Sequence, residues 1–141
     1  MNNLAIRATL MIPLLEAVIV GAWNQFAPRS FYDDFPTVNL NPPFSDHFAH
    51  DFGGALLGIG VVLLIAVVRP ETHYVLPAAV TYSVFAVPHF FFHLFETTTT
   101  ATGQMVLLTT ANAVVAILGL LPIPLALLRD RRTQAPGVLV R

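Results

Sequence analysis

The sequence predicts an all-α integral membrane protein, a bundle of four transmembrane helices. The first observation is the composition of the 141 residues, which is 55% hydrophobic and only 11% charged. A soluble domain carries about a quarter charged residues, and the mean hydropathy of +0.70 is equally atypical of one. The second observation is four apolar runs that each reach the roughly 20 residues a helix needs to cross a bilayer. We therefore expect a single integral membrane domain over residues 1–141.

The four spans are predicted at 5–25, 49–68, 74–95 and 105–128, followed by a tail at 129–141. A backbone inside hydrocarbon must satisfy its own hydrogen bonds, so each run is expected to be helical. The first run resembles a secretory signal because Arg7 precedes an apolar core. Glu16 interrupts that core and no small-x-small cleavage site follows cleanly, so we interpret it as a retained helix.

The arginines predict the orientation. One arginine, Arg29, lies on the side that carries the 26–48 loop, and six lie on the other side: Arg7, Arg69, Arg129, Arg131, Arg132 and Arg141. Positively charged residues concentrate on the cytoplasmic side of membrane proteins. We therefore expect both termini in the cytoplasm, the loop outside, and the plasma (inner) membrane as the location.

The outer loop between the first two helices is predicted to be ordered, as a lid over the mouth of the bundle. Ser30 with Asp33 resembles a capping box for a short helical turn, and Ser45 is placed to cap the second span. Gly54 and Gly58, with Gly53 and Gly60 alongside, predict close approach of the second helix to a neighbour.

Prolines within the third and fourth spans predict that these two helices are distorted. Pro88 is expected to kink the third helix, because proline removes a backbone hydrogen bond, and Pro122 and Pro124 to distort the fourth.

Two short stretches, at the start of the second span and at the end of the third, are rich in ionisable side chains. "SDHFAHDFGG" (45–54) carries His47, His50 and Asp51, and "PHFFFHLFE" (88–96) carries His89, His93 and Glu96. Within each group the spacing of three or four residues puts the side chains on one stripe of a helix. The hairpin of the second and third spans brings both groups to the outer surface, where we expect the stripes to face each other.

These groups predict a metal site at the extracytoplasmic mouth of the bundle. Neutral imidazole binds zinc, copper and iron, and carboxylates complete or orient such sites. His47, His50, Asp51, His89 and His93 are the candidate ligands, with Asp46 and Glu96 as supporting acids. Without cysteine, zinc, copper(II) and non-haem iron all fit, and haem would need one histidine from each helix. The alternative is that the histidines reach to lipid headgroups or bond to loop carbonyls.

Three polar residues are predicted deeper in the spans. Glu16 and Asn112 lie near mid-membrane, and Tyr82 lies about two helical turns below His89. They could form a polar floor below the site, with Glu16 and Tyr82 as a proton relay, or they could make interhelical hydrogen bonds.

The run "RSFYDDFP", followed by "SDHFAHDFGG" and "VPHFFFH", resembles a group of small actinobacterial four-span membrane proteins without an assigned function. The resemblance covers about residues 29–93 and differs at His50, where the group carries arginine. It implies His47, Asp51, His89 and His93 as the positions to test, with Asp46 behind them.

The sequence thus favours a small metal-binding membrane protein with a role in redox chemistry or metal handling, and indicates no reaction or substrate. An accessory subunit of a larger membrane complex, or a homo-oligomer, is one alternative. A proton or small-solute conduit or binding pocket is another. The formal charge of −1 excludes a basic face for nucleic acid, so the expected partners are lipid and other membrane subunits.

Overall fold

The computed structural model describes residues 3–40, 43–96 and 102–134, and these residues confirm the predicted all-α fold. Their helices are α1 (Asn3–Phe26), α2 (Pro28–Asp34), α3 (Asp46–Val68), α4 (Thr72–Glu96), α5 (Thr102–Leu120) and α6 (Pro122–Gln134), with a single 3-10 turn at Val38–Leu40. Each long helix overlaps one predicted span and extends it by one to six residues.

The described residues contain four segments that are long and apolar enough to cross a membrane, namely α1, α3, α4 and the consecutive pair α5–α6. Their outward faces expose large apolar side chains such as Leu15, Ile19, Val61 and Leu64. A soluble protein rarely exposes contiguous apolar surface of this extent, whereas lipid tails solvate it well. The chain is therefore a multi-pass membrane protein whose bundle contacts the bilayer.

The lid helix begins differently from the prediction. The N-cap of α2 is Ala27, which makes no side-chain cap, and Pro28 occupies the first turn. Ser30 lies inside the helix, where its hydroxyl donates to Asp34 Oδ2 at 2.8 Å, so the predicted capping box is wrong. Proline is suited to the first helical position because its φ is fixed and its missing N–H has no partner there.

The predicted cap of α3 is confirmed. The Ser45 hydroxyl accepts a hydrogen bond from Phe48 N at 3.3 Å. This bond satisfies one of the backbone N–H groups that the first turn of a helix leaves without a partner. Asp46 follows directly, in the first turn of α3, and so places a negative charge at the positive end of the helix dipole.

The fourth span is two helices. α5 ends at Leu120 and α6 begins at Pro122, because proline has no N–H to continue the helical ladder. Leu125 N still reaches Leu121 O, at 3.4 Å, so the two helices follow one another across a local distortion. By contrast, α4 runs through Pro77 and Pro88 without ending.

The glycines of α3 bring it close to α1, and the close contacts fall at Gly53 and Gly60, which the prediction named alongside the Gly54–Gly58 pair. A Cβ on Gly53 would lie 2.6 Å from Gln25 N and 2.8 Å from Gly21 O, and one on Gly60 would lie 3.3 Å from Val18 Cγ2. A Cβ on Gly58 would meet nothing within 4 Å. The contact stripe therefore runs through Gly53 and Gly60, seven residues apart, rather than through Gly54 and Gly58.

Arg129 ties the helices together at the end of the bundle opposite the lid. Its guanidinium donates to Pro70 O at 2.6 Å, to Thr72 Oγ1 at 2.8 Å and to Asn3 Oδ1 at 2.9 Å. The same hydroxyl of Thr72 donates to Asp130 at 2.5 Å. These bonds join α6 to the start of α1 and to the α3–α4 connection.

The glycine contact predicts a matched pair of variants. Gly53→Ala should lower the free energy of unfolding by about 1–3 kcal/mol, because the new methyl group meets backbone atoms that cannot move aside. Gly58→Ala should change it by less than about 1 kcal/mol, in the stabilising direction, because alanine is the better helix former. Thermal unfolding in detergent, followed by circular dichroism, measures both. Equal effects would contradict the assigned contact.

Candidate functional site

A cavity of about 730 Å³ lies between α1, α3, α4 and α5 at the end of the bundle that carries α2. This volume is in the range typical of small-molecule sites. The helices contribute mostly apolar residues to its wall: Glu16, Val20 and Asn24 from α1; Phe48, Ala49 and Phe52 from α3; Phe85, His89, Phe92 and His93 from α4; and Leu107, Leu108, Ala111, Asn112 and Val115 from α5.

The chain between α1 and α3 covers the cavity, in agreement with the predicted lid. The described lid residues, Pro28–Leu40 and Pro43–Ser45, line the cavity through the aromatic rings of Phe31, Tyr32, Phe35 and Phe44. Phe31 and Phe35 stack at 4.8 Å between ring centroids, and Trp23 of α1 meets both rings edge-on at 5.7 and 6.1 Å. Aromatic packing therefore holds the lid on the end of α1.

The outer surface of the lid is polar. Arg29 donates to Asp33 at 2.7 Å, and this bond together with the charge of Asp33 raises the pKa of Arg29 above its ordinary value. The guanidinium carbon of Arg29 lies 5.7 Å from the centroid of the Tyr32 ring and 5.3 Å from that of the Phe44 ring. These distances are typical of cation–π contacts.

The histidine stripe of α4 faces inward, as the spacing predicts. His89 and His93 both line the cavity, with ring centroids 4.5 Å apart and the rings nearly perpendicular. His89 also stacks on Phe85 at 5.2 Å. His93 is buried, with 6% of its surface exposed. The two imidazole rings therefore lie side by side on one wall of the cavity.

The histidine stripe of α3 faces away from the cavity, and the predicted convergence of the two stripes is wrong. His47 Nε2 lies 3.2 Å from Asp51 Oδ2, and the side chains are 90% and 66% exposed. His50 lies 3.7 Å from Asp46 and 3.5 Å from Gln25 Nε2. None of these four α3 residues lines the cavity.

The reason is the rotation of α3 about its axis. At about 100° per residue, the stripe of Ser45, Phe48, Ala49 and Phe52 that lines the cavity lies roughly opposite the stripe of the α3 histidines and acids. Within the described part of the chain, no three His, Asp or Glu side chains come close enough together to hold one metal ion. The side chain of Glu96 lies outside the described residues. Metal binding stays a prediction, with His89 and His93 as its neighbouring donors.

Glu16 and Tyr82 form an interhelical hydrogen bond, one of the two predicted roles. The Tyr82 hydroxyl donates to Glu16 Oε2 at 2.9 Å, joining α1 to α4 at the floor of the cavity. Tyr82 is fully buried, and a Cβ on Gly119 would lie only 2.6 Å from its ring. The absence of a side chain at position 119 therefore makes room for the ring.

Two asparagines place acceptor oxygens in the cavity wall. Asn112 Nδ2 donates to Leu108 O at 2.9 Å and Asn24 Nδ2 donates to Val20 O at 3.0 Å. A backbone carbonyl can only accept, so each asparagine turns its Nδ2 toward the helix backbone and its Oδ1 away from it. Neither Oδ1 atom nor Glu16 Oε1 has a hydrogen-bond partner among the described residues, and none of the three is occluded.

Sequence reasoning identified Asn112 but missed Asn24 and the aromatic wall of Phe48, Phe52 and Phe85. Asn24 lies only four residues after Val20, in the last turns of α1, and the one available signal was its i, i+4 and i, i+8 spacing from Val20 and Glu16. The phenylalanines gave no signal, since those facing lipid and those facing a cavity are equally apolar.

No protein-family profile matches the chain, and no curated protein or solved structure is significantly similar to it. The site is therefore interpreted from its own geometry and chemistry.

The hydrogen bond on the cavity floor predicts that Tyr82→Phe lowers the free energy of unfolding by about 1–3 kcal/mol, because Glu16 loses its only described donor in a buried setting. Tyr74→Phe is the matched control, since Tyr74 lies half-buried on the same helix with no side-chain hydrogen bond among the described residues. It should change stability by less than about 0.5 kcal/mol. Thermal unfolding of both variants tests the difference; similar melting temperatures would contradict it.

Proposed function

We propose that this membrane protein binds an amphipathic small molecule in the cavity beneath its lid. The observation that carries the proposal is the composition of the wall, which is apolar and aromatic apart from a few convergent polar groups. Small-molecule sites typically combine such walls with a small number of polar side chains that fix the orientation of the ligand.

The arrangement of the polar groups supports a ligand with a polar end and an apolar body. Glu16 lies at the floor, where it accepts from Tyr82, whereas His89 is seven residues further along α4 and therefore about 10 Å nearer the lid. Between these levels the wall is formed by apolar rings such as Phe52 and Phe85, whose centroids are 5.7 Å apart. A molecule bound here would bury its apolar part against these rings and place its polar end either at the floor, beside Glu16, or nearer the lid, beside His89.

The distribution of arginines supports an extracytoplasmic position for the cavity. Arg7 and Arg129 lie at the end opposite the lid, where Arg7 donates to Val68 O at 3.2 Å. By the same distribution rule, the lid end faces outward. A ligand would then enter from the extracytoplasmic leaflet or from the medium next to it.

Metal binding through α4 is the second candidate function. The observation that favours it is the adjacency of the His89 and His93 rings on the cavity wall, 4.5 Å between centroids. Two imidazole nitrogens leave positions for water or for a ligand's own donor atoms, as catalytic metal sites do. The Asp46, His47, His50 and Asp51 side chains have no part in this reduced site. An accessory-subunit role and a proton conduit stay predictions from the sequence. A haem held by one histidine from each helix would require an α3 histidine in the cavity wall, where neither His47 nor His50 lies.

Filling the cavity tests the first function. Ala49→Phe places a ring in the cavity from α3, whereas Ala55→Phe adds the same ring at an exposed position of that helix outside the cavity wall. The neutral fluorescent probe N-phenyl-1-naphthylamine should bind saturably to the wild type in phosphatidylcholine nanodiscs. Ala49→Phe should weaken this binding by roughly tenfold, as expected for a lost apolar contact of more than 1 kcal/mol, and Ala55→Phe should leave it unchanged. Equal binding by the two variants, or none by the wild type beyond empty nanodiscs, would contradict the proposal.

Elemental analysis tests the second function. A His89→Ala, His93→Ala double variant should lose any zinc, copper or iron that purifies with the wild type, because both nitrogen donors are removed. A His47→Ala, His50→Ala double variant removes the same number of imidazoles from the outward stripe and should retain the metal. A wild type without near-stoichiometric metal, or metal loss in the α3 variant alone, would contradict this assignment.

A further inference from the structure

We infer that the cavity selects a lipophilic cation and that Glu16 is its counter-ion. This inference rests on the proposed small-molecule site and adds to it the charge of the ligand and the residue that recognises it.

The electrostatics of the wall is one-sided. Among the described residues that line the cavity, Glu16 is the one acidic side chain, none is an arginine, and the basic groups are the imidazoles of His89 and His93; the chain contains no lysine. In the lid, Arg29 lies on the outer surface, where its guanidinium pairs with the carboxylate of Asp33 at 2.7 Å. A negatively charged ligand would therefore meet a carboxyl group without a compensating cation, whereas a positively charged ligand would meet its complement.

The wall also offers several hydrogen-bond acceptors, beside the imidazoles of His89 and His93. Glu16 Oε1, Asn24 Oδ1 and Asn112 Oδ1 are acceptors without a described partner. The hydroxyl of Tyr82 is already donated to Glu16 Oε2, at 2.9 Å. At the cavity floor the hydroxyl of Tyr82 is thus already used and a carboxylate oxygen of Glu16 stays available as an acceptor, while the two amide oxygens add acceptors nearer the lid. Such acceptors suit an ammonium group or another cation with polarised hydrogens.

The aromatic wall provides the second means of binding a cation. Ring faces attract cations through their quadrupole, most strongly where water is excluded. The lid already shows this chemistry on its outer side, where Arg29 lies over the Tyr32 and Phe44 rings. The inner wall presents further rings, including Phe52 and Phe85, to the cavity.

The depth of Glu16 explains why the charge matters. An ionised carboxylate within a membrane span is costly unless it is paired, and the described residues supply Glu16 with one neutral donor, Tyr82, and no arginine. A bound cation would complete the pair in surroundings of low dielectric constant, where the attraction between opposite charges is strong. Removing the charge of Glu16 should therefore selectively weaken binding of cations.

Two ions of nearly identical size and shape test the inference, tetraphenylphosphonium and tetraphenylborate. Each is titrated into wild-type protein in phosphatidylcholine nanodiscs by calorimetry, and the signal of empty nanodiscs is subtracted. We expect saturable binding of tetraphenylphosphonium only. Glu16→Gln should weaken it by at least roughly 30-fold, as for the loss of one partner of a buried charge pair. Glu71→Gln, which removes the same charge from an exposed residue at the opposite end, should leave it unchanged.

The outcomes separate this inference from the proposed function. Equal binding of both ions, or no effect of Glu16→Gln, would overturn the inference, while saturable binding of neutral N-phenyl-1-naphthylamine that is sensitive to Ala49→Phe would still support the cavity. Absence of saturable tetraphenylphosphonium binding to the wild type would overturn the inference as well. If the neutral probe also failed to bind saturably to the wild type, the proposed function would be contradicted as well.

A second variant keeps the test decisive if Glu16→Gln does not fold. Glu16→Asp retains the charge but withdraws it by one methylene, so it should preserve the preference for tetraphenylphosphonium over tetraphenylborate with reduced affinity. A Glu16→Asp protein that binds both ions equally would overturn the inference.

Discussion

The close contact of α1 with α3 is the constraint on which the rest of the structure depends. At Gly53 the two backbones approach so closely that a methyl group would lie 2.6 Å from Gln25 N. Such a contact permits only one rotation of α3 about its axis. With that rotation fixed, Phe48, Ala49 and Phe52 turn toward the cavity, and His47 with its neighbouring acid turns outward.

The second constraint is the pairing of α1 with α4 across the cavity floor. Glu16 accepts from Tyr82 at 2.9 Å, and Tyr82 in turn occupies the space left by Gly119 on α5. Three helices are thereby positioned around one carboxyl group. The groove that they leave toward the lid is too wide for the side chains of the described residues to fill, and the aromatic lid covers it.

The site therefore differs in kind from the one that the histidines first indicated. Carboxylate and imidazole groups that could share a metal ion are divided between two environments, an exposed face of α3 and the cavity wall of α4. What remains in the cavity is one carboxyl, two imidazoles, two amide oxygens and many aromatic rings. This set is better suited to an organic ligand with an apolar body than to a bare ion.

The sequence by itself determined the membrane class, the number of spans and the position of His89 and His93 on one stripe of their helix. Length and hydropathy are enough for the spans, because bilayer thickness and backbone hydrogen bonding leave only long helices. The rotation of α3 was decided by the tertiary structure alone. In a soluble helix the apolar stripe indicates the buried face, but here lipid and core are equally apolar, so hydropathy carries no information about rotation. Which glycine touched α1, and hence on which side of α3 the histidines lay, depended on the packing of backbone against backbone.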